Sequence, residues 1–257
     1  MGRMTEVVKV LLILNVIFYV GSNLVGADAY NALSLYYFEN AQFRWWQPIT
    51  HMFMHSPYRA IPGFSDGGSI LHIVFNMYAL WAFGTAVERR FGPQRFLTFY
   101  LIAGIGAAFI HSFVGYLDVE VLRSAAIEAG ATAAQFAQAM NGENAQVVAT
   151  FPGAEFGAAY DAWYSPAVGA SGAIFGILVA FAMLYPNAEL MLLFIPFPIK
   201  AKYLIGIYVA YEIYAGFTGT SLMGANIANW AHIGGALFGF VMAWWYKRND
   251  FDEYRWN

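Results

Sequence analysis

The 257-residue sequence contains no cysteine, which excludes disulfide bonds and thiolate metal sites and leaves the redox compartment open. Charge is scarce as well. Asp, Glu, Lys and Arg together make up 11% of the residues, against about 25% in an ordinary soluble domain. The net charge is only −3, and no basic stripe is interleaved with aromatics, so the chain has no electrostatic footprint for nucleic acid. No internal repeat or low-complexity tract is present. What fills the sequence instead is apolar: 60% of residues, with a mean hydropathy of +0.50. Such a chain has the bilayer as its solvent.

Six apolar segments approach the length needed to cross a hydrocarbon core of about 30 Å: Val7 to Val25, Ile70 to Val87, Phe96 to Tyr116, Ser171 to Tyr185, Tyr203 to Phe217 and Ile227 to Tyr246. The first is preceded by Arg3, contains Lys9 and is followed by Ala27-Asp28-Ala29, which imitates a secretion signal. Its apolar run exceeds the 7–15 residues typical of such signals, so it is expected to be an uncleaved membrane helix. The fourth and fifth segments are short. A helix of about fifteen residues rises only roughly 22 Å, which sinks the start of the fourth, at Ser171, below the membrane surface.

Lysine and arginine set the orientation. With a cytoplasmic amino terminus, Arg3, Lys9, Arg89, Arg90, Arg95, Lys200, Lys202, Lys247, Arg248 and Arg255 fall inside, and only Arg44, Arg59 and Arg123 fall outside. Both termini are then cytoplasmic. The loop from Gly26 to Ser69 carries an aromatic stretch, Phe43 to His55, suited to the membrane interface, followed by a Pro-, Gly- and Ser-rich excursion at 56–68. The acidic, alanine-rich stretch 117–166 is expected to be an inserted extracytoplasmic subdomain with one or two helices around Val121 to Met140, within a single membrane domain of residues 1–257.

Three motifs carry chemistry. Val168-Gly169-Ala170-Ser171-Gly172 sets a serine between glycines at the start of an apolar helix. Free N–H groups and the positive dipole end at such a start suit a developing oxyanion. Ala231-His232-Ile233-Gly234-Gly235 opens the sixth segment. Gly172 and Gly176 on one helix and Gly235 and Gly239 on the other form small-residue faces that allow close approach, which would bring Ser171 and His232 to the same depth. His72 and Asn76 share one face of the second segment. Plainer readings stand beside these: Ser171 as a small contact residue, His232 as a packed histidine, and His72 with Asn76 as a structural hydrogen-bond pair. A metal reading of His51, His55 and His72 finds no carboxylate or cysteine to complete a ligand set.

Taken in order, these motifs resemble the rhomboid family of intramembrane serine proteases, from Trp46 to the sixth segment. The resemblance implies an all-α, polytopic membrane protein: a six-transmembrane-helix rhomboid-like bundle of the bacterial type. It implies Ser171 as nucleophile and His232 as sole general base, a dyad with no acidic third member and no cofactor. Oxyanion stabilisation would come from His72, Asn76 and Gly169 with the Ser171 N–H, and Phe175 would place an aromatic ring on the imidazole. Glu88, in Gly84 to Gly92, matches a charged structural motif. Glu212 would sit on the helix bordering a lateral substrate entrance, as a gate latch or as a structural bond to a neighbouring helix. Family members commonly carry arginine after the tryptophan, where this chain has Gln47.

The function so implied is endoproteolysis of transmembrane protein substrates within the lipid bilayer, with no nucleic acid and no oligomer required for catalysis. The location implied is a bacterial cell (inner) membrane, with the site opening to the extracytoplasmic side. The alternative from another class is a catalytically silent rhomboid-fold binder of membrane clients. A small-solute transporter is disfavoured by the lack of interrupted helices in repeated halves.

Overall fold

The computed structural model describes residues 3–57, 70–142, 153–192, 195–220 and 229–253. Of the 56–68 excursion only Ser56 and Pro57 are among them, and Arg59, Arg255 and Ile227 lie outside them. The architecture is helical: α1 (Glu6–Val25), α2 (Ala27–Leu33), α3 (Gln47–Thr50) running into a 3₁₀ turn (His51–Phe53), and α4 (Ile70–Phe91) with a π-helical turn at Leu80–Gly84. Then come α5 (Pro93–Glu128), α6 (Ala133–Met140), α7 (Gly153–Tyr164), α8 (Ser171–Leu184), α9 (Ala201–Thr218) and α10 (Asn229–Glu253).

Two features depart from the sequence reading. An antiparallel hairpin, β1 (Glu189–Leu192) with β2 (Ile195–Lys200), joins α8 to α9, so the chain is not purely α. The third apolar segment does not stop at Tyr116. It continues as one helix to Glu128, because Val119, Leu122 and Ala126 recur at helical spacing and bury themselves with Phe136, Met140, Ala159 and Trp163. The described part of 117–166 thus adds a small apolar cluster at the end of α5, joined by Tyr37 of the first interhelical loop, with α6 started by a capping box between Thr132 and Gln135.

The main core has α8 at its centre. Gly172 through Leu178, Ala180 and Phe181 are all buried, against α4, α5, α9 and α10. Around it the helices turn apolar side chains outward: Val10, Ile13 and Ile17 on α1, Phe109 and Phe113 on α5, and Phe240 and Trp244 on α10 are all exposed. Exposed apolar surface on this scale belongs in lipid. Among the described residues α1, α4 and α5 are long and apolar enough to cross a membrane, and α8 is a shorter apolar helix.

The basic ends of the helices meet at one end of the bundle. Tyr185 donates to the Ala86 carbonyl (3.4 Å), Lys247 to the Met183 carbonyl (3.4 Å) and Arg89 to the Arg3 carbonyl. Glu88 secures this end. Thr5, the N-cap of α1, makes no side-chain cap to its own helix. The Glu88 carboxylate takes that place from α4, accepting the N–H groups of Val7 (3.1 Å) and Val8 (2.9 Å) and the Thr5 hydroxyl. A carboxylate here satisfies orphan donors and faces the positive end of the helix dipole.

Hydrogen bonds to a charged acceptor contribute about 1.5–3 kcal/mol. Glu88→Ala is therefore expected to lower the melting temperature of the detergent-purified protein by several degrees, and Glu88→Gln by less. An unchanged melting curve for Glu88→Ala would remove Glu88 from the structural scaffold.

Candidate active site

The site begins with a backbone contact. A methyl group placed on Gly235 would lie 1.8 Å from the Gly172 carbonyl oxygen, and one on Gly239 would lie 2.3 Å from Gly176 Cα. α8 and α10 therefore cross with no side chain between them, at the two glycine pairs that the sequence spacing indicates. α5 closes the third side: a methyl on Gly172 would meet Ala107 Cβ at 2.5 Å and one on Gly234 would meet the Gly106 carbonyl at 2.8 Å.

The segment before α8 is held just as closely. Leu35 and Ala167 exchange both backbone hydrogen bonds, each 2.9 Å, and the Gly169 N–H donates to the His51 carbonyl at 3.0 Å. The first interhelical loop thereby fixes the approach to Ser171. Gly169 has φ +133°, a conformation that L side chains rarely adopt. Past it, the Ile174 N–H bonds to the Ala170 carbonyl (2.9 Å), which leaves the N–H groups of Ser171, Gly172 and Ala173 outside the helical ladder.

Ser171 and His232 meet across this crossing, with His232 Nε2 2.9 Å from Ser171 Oγ. The imidazole is buried and stacks on Phe175, centroids 4.2 Å apart and planes at 14°, the aromatic placement that the resemblance implies. Tyr208 packs on the far side of Phe175 at 4.8 Å. On the other nitrogen, His232 Nδ1 lies 3.0 Å from Glu212 Oε2. Nδ1 makes no aligned hydrogen bond, so this is a close contact off the N–H axis. Glu212 is 2% exposed and accepts from Asn229 Nδ2 at 2.7 Å. It thus bridges α9 and α10 and touches the imidazole itself, a contact that the gate reading did not contain.

His72 Nδ1 accepts the Ser56 N–H at 3.2 Å. The ring proton of neutral His72 is then on Nε2. That nitrogen and Ser171 Oγ would each lie 3.3 Å from a Cβ on Gly169, so they flank the same glycine. Asn76, one turn on, donates one amide proton to the His72 carbonyl (2.8 Å). The Gly169 N–H is taken by His51, so Gly169 serves this space through its missing side chain rather than as a donor.

The loop histidines have other partners. His51 Nδ1 pairs with the Gln47 carbonyl (3.0 Å), and His55 Nε2 with Asn15 Oδ1 (2.9 Å). Burial pushes His51 down to about 4, against the opposing Gln47 bond, and burial with His72 nearby pushes His55 to about 3. Both are neutral packing groups. Gln47, which stands where the resemblance leads one to expect arginine, anchors this loop. It is fully buried, with Oε1 accepting from the Tyr36 N–H (3.2 Å) and Nε2 donating to the carbonyls of Asn31 (3.1 Å) and Gln42 (2.9 Å). His111 on α5, within electrostatic reach of His51 and His232, is a residue that the sequence reading passed over. An ionisable side chain in an apolar segment is the signal that marks it.

A family model described as the Rhomboid domain matches residues 42–249. The chain belongs to the rhomboid family. Its fold is therefore that of a polytopic helical bundle, integral to the membrane. It is similar to RHOMBOID-like protein 12, mitochondrial, of Arabidopsis thaliana, 33% identical over 67% of this chain and 41% of that protein. It is also similar to rhomboid protease GluP of Bacillus subtilis (43% identical over 29% of this chain and 12% of that protein), and to presenilin-associated rhomboid-like protein, mitochondrial, of Homo sapiens (28% over 69% and 34%). The rhomboid chain described here thus spans well under half the length of these curated relatives.

Because the α8–α10 crossing holds the rhomboid site together, Gly235→Ala forces the backbones apart and is expected to cost about 1–3 kcal/mol, as overpacking does. The check is a lower melting temperature together with loss of whatever reactivity Ser171 shows. A variant with normal stability and reactivity would mean that the crossing tolerates a methyl group.

Proposed function

We propose that the protein is an intramembrane serine endopeptidase acting through Ser171 and His232. The observation that carries this reading is the 2.9 Å approach of His232 Nε2 to Ser171 Oγ, at a helix start whose N–H groups lie outside the helical ladder. The Bacillus subtilis relative, by name a rhomboid protease, supports it.

In the proposed reaction, Ser171 Oγ attacks the scissile carbonyl carbon while His232 Nε2 takes the hydroxyl proton. The oxyanion is met by the Ser171 N–H and the Nε2–H of His72, with Asn76 lining the same face. Collapse breaks the C–N bond, the imidazolium gives its proton to the departing amine, and water then hydrolyses the acyl-enzyme by the same two transfers in reverse order. No cofactor enters this scheme, and one copy of the chain holds all the groups it uses.

The substrates proposed are membrane-spanning segments that unwind locally, since an intact helix keeps its carbonyls engaged, with small residues at the cut to fit the crowded glycine-lined space. α8, of 14 residues, rises only about 21 Å, which favours a cut within the bilayer zone. Six spans are proposed, α1, α4, α5, α8, α9 and α10, in a bacterial cell membrane. The basic end of the bundle would be cytoplasmic, and the 117–166 subdomain and the site would face outward.

Labelling the detergent-purified protein with a fluorophosphonate and mapping the modified peptide tests the reading directly. Ser171 should carry the label. Ser171→Ala and His232→Ala are each expected to abolish cleavage while leaving the melting temperature near that of the parent, because the two act as a unit. His72→Ala should reduce the rate by up to about 10²–10³-fold, and Asn76→Ala by less. A protein that folds but is never labelled would instead be a silent binder of membrane clients.

Orientation is tested separately by cysteines introduced into α6, for example Ala137→Cys, on this naturally cysteine-free background. Impermeant maleimide is expected to label them on intact cells. Labelling only after the membrane is opened would reverse the topology.

A further inference from the structure

Neutral imidazole carries one proton. For His232 Nε2 to accept the Ser171 proton, that one must sit on Nδ1, and some group must favour it there. In soluble serine hydrolases a buried carboxylate does this. Rhomboid chemistry, as the sequence resemblance implies it, has no such member. In this chain the atom facing Nδ1, at 3.0 Å, is Glu212 Oε2.

We propose that Glu212 is a positioning residue for His232, making the site a Ser-His-Glu triad rather than a dyad; this deepens, and rests on, the protease reading above. Three observations carry it. First, Glu212 is an acid on an apolar helix, 2% exposed, and ionisable groups so placed are costly unless they find partners. Its Oε2 is shared between Asn229 (2.7 Å) and the imidazole (3.0 Å). Second, Phe175 clamps one face of the His232 ring at 14°. With that face covered, a small in-plane shift of the ring would bring Nδ1–H into line with the carboxylate. Third, among the described residues the other ionisable groups around the ring do not take this place. His72 and His111 act on His232 only through space, and Tyr208 packs against Phe175.

The step follows with its charges balanced. As the bond forms between Ser171 Oγ and the substrate carbon, the hydroxyl proton moves to His232 Nε2. The ring becomes an imidazolium beside a carboxylate in a water-poor site, where opposite charges interact strongly. Glu212 takes no proton in this step. The proton leaves Nε2 for the amine nitrogen of the departing peptide.

The decisive variant is Glu212→Gln. Because the same atom, Oε2, meets both Asn229 and Nδ1, the amide cannot serve both contacts as the carboxylate does: with oxygen there the imidazolium loses its counter-charge, and with nitrogen there Nδ1 holds no proton and the ring adopts the tautomer that cannot accept from serine. The expected result is a fall of roughly 10²-fold or more in the rate of fluorophosphonate labelling at Ser171, with an unchanged melting temperature. Glu212→Asp should recover part of the loss. ¹⁵N spectra of the histidines, with His232 assigned by its absence in His232→Asn, should show the Nδ1–H form in the parent protein.

Parental labelling by Glu212→Gln overturns the proposal while leaving the Ser171–His232 assignment intact. So does an Nε2–H tautomer in the parent, a measurement that needs no variant at position 212 to fold. Glu212→Ala that speeds cleavage of a membrane-embedded substrate more than of a small soluble reporter also overturns it, in favour of a gate latch. A parent protein whose Ser171 is never labelled removes the protease reading and this one together.

Discussion

The contact on which the rest of the structure depends is the crossing of α8 and α10 at Gly172, Gly176, Gly235 and Gly239. In lipid there is no hydrophobic drive to press two helices together, so the attraction is dispersion between closely fitted surfaces, and its strength rests on how near the backbones come. Here they come as near as backbones can. That distance sets the reach of every side chain at the mouth of the crossing. His232 meets Ser171 at hydrogen-bond distance, Phe175 lies flat on the imidazole, and the far nitrogen is carried to Glu212 on the next helix.

The first interhelical loop is the second constraint. Irregular backbone is tolerated at membrane depth only when protein satisfies its polar groups, and this loop meets that condition largely through its own residues. Gln47 binds its first and middle parts, Trp46 donates to the Ala32 carbonyl, Tyr30 to the His55 carbonyl, and the Leu35–Ala167 exchange ties it to the chain entering α8. Glutamine suits this place because it meets two carbonyls and one N–H, and its amide both donates and accepts.

Periodicity and small-residue spacing made the helices and the crossing legible before any coordinates. Helix ends were less so. Asp118 and Glu120 read as the exit from an apolar helix into a loop, whereas the helix continues by exchanging a lipid-facing surface for a face that packs on α6 and α7. The hairpin was hidden because Pro196 and Pro198 argue against strand. Its pairing is stated only by register, with Glu189 opposite Lys200. Contacts between helices far apart in sequence were the least accessible. Glu88 stood out by motif, but its role as the missing cap of α1 depends on where α4 ends. Glu212 stood out as an intramembrane acid, but its contact with His232 depends on the register of α9 against α10, which no local pattern encodes.

The unbroken course of α5 fixes where its far end stands. Its 36 residues make a rod of about 54 Å, while the hydrocarbon core is about 30 Å thick. The far end of that rod bears Val119 and Leu122, which pack with Phe136 and Trp163. The part that backs α10 and the part that bears this cluster belong to one continuous helix, so the distance between the cluster and the bundle is set by the length of that helix alone.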